Sequence, residues 1–339
     1  MAKAGIIGGG AFGTAMACVV RRSGHDVLLW ALEPEVVDGI NREGTNAHFL
    51  EGVPLVPGIR ATGDLARAVD GRDFILMAVP AQHLRGVAER MHGSLAPHTP
   101  VVTCSKGIER GTLAFMPEVI AQALPQALVA VLSGPSFARE IAADLPCGVA
   151  LGCADLAVGE RLAHLIANPN FCVHYCDDAI GAAIGGVMKN VIAIASGIAA
   201  GRRLGENARA TLITMGSQET TRLGLAKGAK SSTFDGLAGI GDLMLTANSL
   251  GSRNTSLGVA LGEGRTLAEV LAGRKEVTEG AFSAGAIAQL ARRLGVEMPI
   301  TQAVDAILNH GAAVDEGIAR LMRHTPTVLH TGQRGKACA

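Results

Sequence analysis

Two hydrophobic patterns divide the chain near Asp177-Asp178. Before that point, short apolar runs almost free of charge alternate with helix-compatible segments. The runs are Ala4–Ile7, Asp26–Trp30, Phe74–Val79, Val101–Cys104, Leu128–Leu132, Cys147–Leu151 and Phe171–Cys176. Runs of this length bounded by turn residues read as buried strands, and their alternation with helices predicts an α/β unit with a mostly parallel sheet. Beyond that point strand-like runs largely disappear, and helical segments with glycine stops continue to about Arg323. The expected organisation is α/β over 1–177 and all-α over 178–324. The tail 325–339, TPTVLHTGQRGKACA, has no periodicity and reads as disordered.

The strongest local signal is AIGAAIGGVMKNVIAIASGIAAG, from Ala179 to Gly201, in which Lys189 is the only charge. Length and polarity make it formally a membrane-span candidate. Its many Gly and Ala residues keep hydrophobicity low, and a central Lys costs roughly 2.5–3.5 kcal/mol on insertion scales. It therefore reads as a small-residue helix buried in a soluble domain, with no transmembrane segment. Burial lowers a lysine pKa, which suits acid–base work near neutral pH. A lysine snorkelling from a helix edge is the bland alternative.

Gly8, Gly10 and Gly13 form a GxGxxG pattern after the first strand and before a helical segment, with Glu33 past the second strand. Here Gly8 allows the tight turn, Gly10 lets the main chain approach a pyrophosphate, and Gly13 permits close helix–strand packing. The helix start adds unpaired N–H groups and a partial positive charge. A dinucleotide-binding unit is expected. Ligands of such sheets bind beyond the carboxyl ends of the strands, where Val79-Pro80-Ala81-Gln82, Ser105-Lys106-Gly107 and Ser133-Gly134-Pro135-Ser136 fall. Lys106 is there either a substrate-anion ligand or a solvated loop charge. In the helical half, GLAGIGD sets Asp242 among glycines with Thr246 one turn on, as a helix cap or a chemical carboxylate. Ser252-Arg253-Asn254 at a helix start suits a phosphate, or is a solvated turn.

Composition narrows the class. A chain of 339 residues, 48% hydrophobic, suits about two domains. Thirty basic and thirty acidic residues cancel, so nothing points to nucleic acid or an anionic membrane. Seven unpatterned cysteines argue against a disulfide framework and for a reducing, cytoplasmic setting. The uncharged stretch after Lys3 imitates an export signal, but Gly8-Gly9-Gly10 would break its apolar helix. Cys172, His174 and Cys176 share a strand face at spacings of about 6.6 Å. Zinc ligands must lie at about 2.0–2.3 Å from the ion, so no metal is expected.

Together IIGGGAFGTAMA, NREGTNAHFLEGVPL, CSKGIER, SGPSFARE, GGVMKNVIAI, FDGLAGIGDLMLT, GSRN and LGVEMPIT resemble the bacterial NAD(P)-dependent sn-glycerol-3-phosphate dehydrogenase family. The resemblance runs from Gly5 to about Arg323. It implies an N-terminal Rossmann domain, a helical C-terminal domain and reversible reduction of dihydroxyacetone phosphate to sn-glycerol 3-phosphate with NAD(P)H. Supply of glycerol phosphate for phospholipid synthesis follows from it, with a homodimer as the assembly to test. By motif, Lys189 matches the proton donor and acceptor, and Asn190, Asp242 and Thr246 its substrate-binding neighbours. Lys106 matches a shared substrate and cofactor ligand, Arg253 and Asn254 the phosphate clamp, and Gly134, Ser136 and Ser252 substrate contacts. Phe12, Ala138, Val277 and Glu279 match cofactor contacts, beside Gly8, Gly10, Ala11, Gly13, Leu32, Glu33 and Arg253.

Three positions depart from that pattern. Ala11 stands where relatives often carry Ser, removing a hydroxyl contact to the pyrophosphate. Leu32 stands where many have Arg or His near the adenosine ribose, and Met215 replaces a common Arg without a physical account. With Glu33 after the second strand and no cation at Leu32, NADH is expected to be used at least as well as NADPH. The rivals are a non-catalytic NAD(H) sensor and a related 2-hydroxy-acid dehydrogenase. The set Lys106, Lys189, Asp242 and Arg253 speaks against both, because a sensor needs no proton donor and a hydroxy acid no phosphate clamp.

Overall fold

The computed structural model describes residues 1–272 and 279–322, so Val277 and the tail 325–339 lie outside the described residues. Eight strands form one sheet: β1 (Lys3–Ile7), β2 (Asp26–Trp30), β3 (Arg60–Thr62), β4 (Phe74–Met77), β5 (Pro100–Thr103), β6 (Leu128–Ser133), β7 (Cys147–Cys153) and β8 (Phe171–Cys176). Their order is β3-β2-β1-β4-β5-β6-β7-β8, parallel throughout except between β6 and β7. Ile7 pairs with both Trp30 and Met77, so β1, β2 and β4 end flush. Strand order reverses between β1 and β4, which opens a crevice at those ends.

Seven of the eight strands are those the apolar runs predict. Two match the runs end to end and the other five differ by one or two residues at an end: β4 stops at Met77, although the Ala78 N–H still bonds the Ile7 carbonyl of β1 at 2.8 Å. The edge strand β3 is too short to leave a pattern. It is held partly by a side chain, since the Asn41 carboxamide accepts from the Ala61 N–H and donates to the Ala61 carbonyl, both at 2.9 Å. Apolar residues cover both sheet faces. Ile6, Val19, Leu29 and Leu132 belong to one core, and Ile7, Trp30, Met77 and Ile120 to the other.

Asp178 ends the sheet and starts the helical part. Its carboxylate accepts from Gly181 N at 2.8 Å, capping the long helix Ala179–Gly201, and from Lys230 N and the Thr233 hydroxyl at 2.9 and 2.6 Å. No strand follows among the described residues. The long helix passes the length and hydropathy test for a membrane span, but protein covers it: all but Ala179, Ile180, Lys189, Ala200 and Gly201 are buried. Helix Arg253–Gly262 lies against it backbone to backbone. A Cβ on Gly197 would sit 2.2 Å from the Thr255 carbonyl oxygen, and one on Gly258 2.2 Å from that of Ile194. Only glycine allows this approach.

Helix Pro299–Asn309 begins after Met298, whose side chain caps nothing. The buried Glu219 of helix Glu206–Ala226 does that work, accepting from Ile300 N at 2.6 Å and from Thr301 N and its hydroxyl at 3.1 and 2.9 Å. Burial raises its pKa against these hydrogen bonds. Glu219→Ala leaves two helix N–H groups unsatisfied in the interior and should lower unfolding free energy by about 1–3 kcal/mol in urea titrations. Glu219→Gln should lose less, because its amide oxygen still accepts one of them. Equal stability of all three proteins would rule out the capping role.

Candidate active site

The glycine loop follows β1 into helix Ala11–Arg22. Gly8 has φ +119°, and a Cβ there would lie 2.5 Å from the Ala78 carbonyl oxygen. A Cβ on Gly13 would lie 1.9 Å from that of Gly8. At Gly10 nothing stands within 4 Å, and no side chain caps the helix start. Two glycines thus close the turn, and the third faces open space beside free main-chain donors, a fit for a pyrophosphate. Ala11 and Phe12 are half-buried at this start. The Gly8 N–H bonds the Trp30 carbonyl at 3.0 Å, and Leu32, 72% exposed, and Glu33 follow directly after β2. The cradle fits the pyrophosphate of a dinucleotide.

Along the carboxyl ends of the strands, this loop is continuous with a second cluster. The Gly107 backbone, next to Lys106, closes on Ala81 so tightly that a Cβ would come within 2.2 Å of the Ala81 Cβ. Lys106 reaches from the end of β5 across the end of β6, where its ammonium donates to the Gly134 carbonyl at 2.9 Å and the Ser136 hydroxyl at 3.2 Å. It also donates to Asp242 Oδ2 at 2.6 Å, while Lys189 donates to Asp242 Oδ1 at 2.5 Å. Asp242 has no exposed surface, and the two lysine side chains keep only 16% and 11%. One buried carboxylate therefore bridges two ammonium groups, leaving a net positive charge that faces the strand ends.

Two glycines make that meeting possible. A Cβ on Gly185 would lie 2.1 Å from the Ala238 carbonyl oxygen, and one on Gly186 2.7 Å from the Ser133 hydroxyl and 3.2 Å from Lys106 Cγ. These positions precede Lys189 by one helical turn, so the bare helix face admits both the GLAGIGD turn and the Lys106 stem. Burial lowers the Lys189 pKa; Asp242 pulls it back and the nearby Lys106 pushes it further down, with the value at about 8. Thr246, one turn after Asp242, is buried with its hydroxyl unpartnered, as is the Ser133 hydroxyl. The Cys147 thiol, absent from the residues the sequence pointed to, donates to the Pro135 carbonyl at 3.1 Å and braces this wall; burial pushes its pKa up to about 11.

Other expected residues form a hydrogen-bonded chain behind the cluster. Asn190 donates to the carbonyls of Gly186 and Lys106 at 3.3 and 3.5 Å. Asn254 donates to Asn190 Oδ1 at 2.9 Å and accepts from Gly280 N at 3.1 Å. Ser252 caps helix Arg253–Gly262 through Thr255 N at 3.3 Å, and Arg253 stands exposed at its first residue. Glu279 accepts from Ala81 N at 3.3 Å, tying the helical part to the end of β4, and its second carboxylate oxygen is buried without a partner. Burial raises its pKa, while Arg253 is close enough to act in the opposite direction. Ala138 opens the short helix Ala138–Ala142 after the SGPSF loop. Cys172 and His174 point outward on β8, and no group of three ligating side chains converges on a metal position among the described residues.

With this geometry in place, comparison with known proteins is specific. Residues 3–158 match the model for the N-terminus of NAD-dependent glycerol-3-phosphate dehydrogenase, and residues 178–319 the model for its C-terminus. A glycerol-3-phosphate dehydrogenase (NAD(P)+) of Parvibaculum lavamentivorans is 51% identical over 94% of this chain and 96% of its own length. One from Caulobacter vibrioides is 52% identical with the same coverage of both. Among solved structures, glycerol-3-phosphate dehydrogenase of Coxiella burnetii superposes with a TM-score of 0.90 at 37% identity, covering 95% of this chain and 99% of that one.

Asp242→Asn should leave two buried ammonium groups facing each other without a counter-charge. Breaking a buried ion pair from one side costs roughly 3–5 kcal/mol, read as a loss of unfolding free energy at neutral pH. The Lys189 pKa should fall further, seen as faster reaction of its amine with an acylating reagent at neutral pH. A stable variant with unchanged amine reactivity would mean that the carboxylate does not set the state of Lys189.

Proposed function

The chain belongs to the NAD-dependent glycerol-3-phosphate dehydrogenase family, and from this and the Lys106–Asp242–Lys189 cluster we infer that it interconverts dihydroxyacetone phosphate and sn-glycerol 3-phosphate with NAD(P)H. When bound, the nicotinamide supplies the hydride for the ketone carbon and accepts it in reverse. Lys189 as ammonium protonates the oxygen on which negative charge develops, and as free amine takes that proton back from the alcohol. Lys106 holds a second positive charge at the same water-poor end of the cleft, where it counts for more than in solvent. Asp242 keeps both ammonium groups in place. Thr246 offers its unpartnered hydroxyl to the substrate, and Arg253, with the start of its helix, takes the phosphate by charge-assisted hydrogen bonds. The observation that carries this reading is Lys189, buried in an otherwise chargeless helix, at 2.5 Å from a carboxylate shared with Lys106. The reading also gives the enzyme a cytoplasmic setting, supported by six free thiols among the described residues, and a homodimeric assembly.

Lys189→Met keeps an unbranched side chain of similar size, so the helix should still pack. Loss of general acid catalysis should lower kcat by about a hundredfold or more, with NADH binding and thermal unfolding close to those of the parent. In the parent, ketone reduction needs the ammonium and should decline as pH rises through about 8, while alcohol oxidation needs the amine and should rise over the same interval. A folded Met variant that turns over within a few-fold of the parent would remove Lys189 from the chemistry.

We further propose that NADH is used at least as well as NADPH. The side chain exposed beside the ribose end of the cradle is the apolar Leu32, followed by the acidic Glu33, and neither meets a 2′-phosphate favourably. Comparison of kcat/KM for the two cofactors tests this, and an NADPH advantage of about tenfold (some 1.4 kcal/mol) would overturn it. Leu32→Arg should move the ratio toward NADPH.

A further inference from the structure

Asn46 is almost fully buried, 37 residues beyond Gly9 in sequence, yet its amide nitrogen donates at 2.8 Å to the Gly9 carbonyl. The same nitrogen donates to the Thr14 hydroxyl at 2.8 Å, and that hydroxyl donates to the Gly9 carbonyl at 3.3 Å. One carbonyl of the glycine loop is thus gripped by two side chains. The segment carrying Asn46 is itself anchored: Asn46 Oδ1 accepts from Phe49 N at 3.2 Å, Leu50 and Val53 enter the core, and Arg139 donates to the Glu51 carbonyl at 2.9 Å.

The Gly9–Gly10 link most needs such a grip. Two successive glycines leave the peptide plane between them cheap to rotate, and a rotated plane would turn the carbonyl toward an incoming anion. The bond is trans, so its carbonyl and the following N–H point to opposite sides. Holding the Gly9 carbonyl on the Asn46 side therefore aims the Gly10 N–H away from it. Open space surrounds Gly10, the residue at which the main chain can come closest to a ligand.

We propose that Asn46 is a positioning residue for the cofactor: with Thr14 it locks the Gly9–Gly10 peptide so that the Gly10 N–H faces the pyrophosphate. The proposal rests on the dinucleotide reading of the glycine loop. Its signature is a loss that follows the pyrophosphate and leaves the adenosine contacts and the chemistry at Lys189 alone.

The test uses the full-length enzyme, with inhibition constants of ADP and adenosine measured against NADH. Asn46→Ala should weaken NADH and ADP by roughly tenfold, because the Gly9 carbonyl loses its shorter hydrogen bond and keeps only the longer one from Thr14. Adenosine binding, kcat and KM for dihydroxyacetone phosphate should stay within about twofold, inside the spread of an uninvolved site. Thr14→Val, which keeps the shape and removes only the hydroxyl, should weaken ADP by a smaller factor in the same selective way. It keeps the question answerable if Asn46→Ala unfolds. ADP binding unchanged in a folded variant, or ADP and adenosine weakened alike, overturns the proposal. If the parent itself binds neither NADH nor ADP, the dinucleotide reading fails instead.

Discussion

The site depends on a carboxylate shared by two ammonium groups in a place with little water. Asp242 alone would be a costly buried anion, and Lys106 and Lys189 alone would repel each other. Together they hold two cations against the strand ends with one positive charge to spare. That surplus suits a substrate carrying a phosphate and an oxygen that becomes negative during reduction. The Lys189 proton is held loosely because burial and Lys106 both oppose it, and it is kept in place because Asp242 does not let go.

The rest of the architecture brings those three groups from distant stretches of sequence to one point. Lys106 arrives on a loop after a sheet strand, Lys189 in the middle of the longest helix, and Asp242 on the first turn of another helix. Gly185 and Gly186 remove the side chains that would keep them apart, while Gly197 and Gly258 let the helix bearing Arg253 at its start lie against the same long helix. Small residues on one helix thus set the spacing of both Lys189 and the helix start that carries Arg253. Glu279, bonded to Ala81, and the Asn190–Asn254 pair join this assembly to the sheet.

Much of this was legible in the sequence, because strong local patterns carry it. Buried strands show as apolar runs, the glycine turn by spacing, and the lone lysine by contrast with its surroundings. What stayed hidden is held by contacts without a local signature. Strand β3 is three residues long and leans on the Asn41 side chain. The antiparallel step between β6 and β7 leaves the same apolar runs as a parallel one. Nothing near Glu219 in the sequence marks it as the acid on which helix Pro299–Asn309 begins, 80 residues on. Asn46 sits in a polar stretch where nothing marks one asparagine as buried. Asn190 and Asn254 could be named from the resemblance, but only coordinates show that their carboxamides are spent largely on each other and on the main chain.

The chain contains one tryptophan and one tyrosine, and their positions give the molecule an internal optical probe. Trp30 ends β2, almost fully buried; its indole N–H is bonded to the Gly63 carbonyl at 3.0 Å, and the Arg90 guanidinium lies 5.6 Å from the ring centre. Its own carbonyl accepts from Gly8, the first residue of the glycine loop. Tyr175 is on β8, at the far edge of the sheet. Emission excited at the red edge of protein absorbance therefore comes from a single indole whose backbone touches the glycine loop. In this chain intrinsic fluorescence is a local signal from one end of the glycine loop, not an average over the fold.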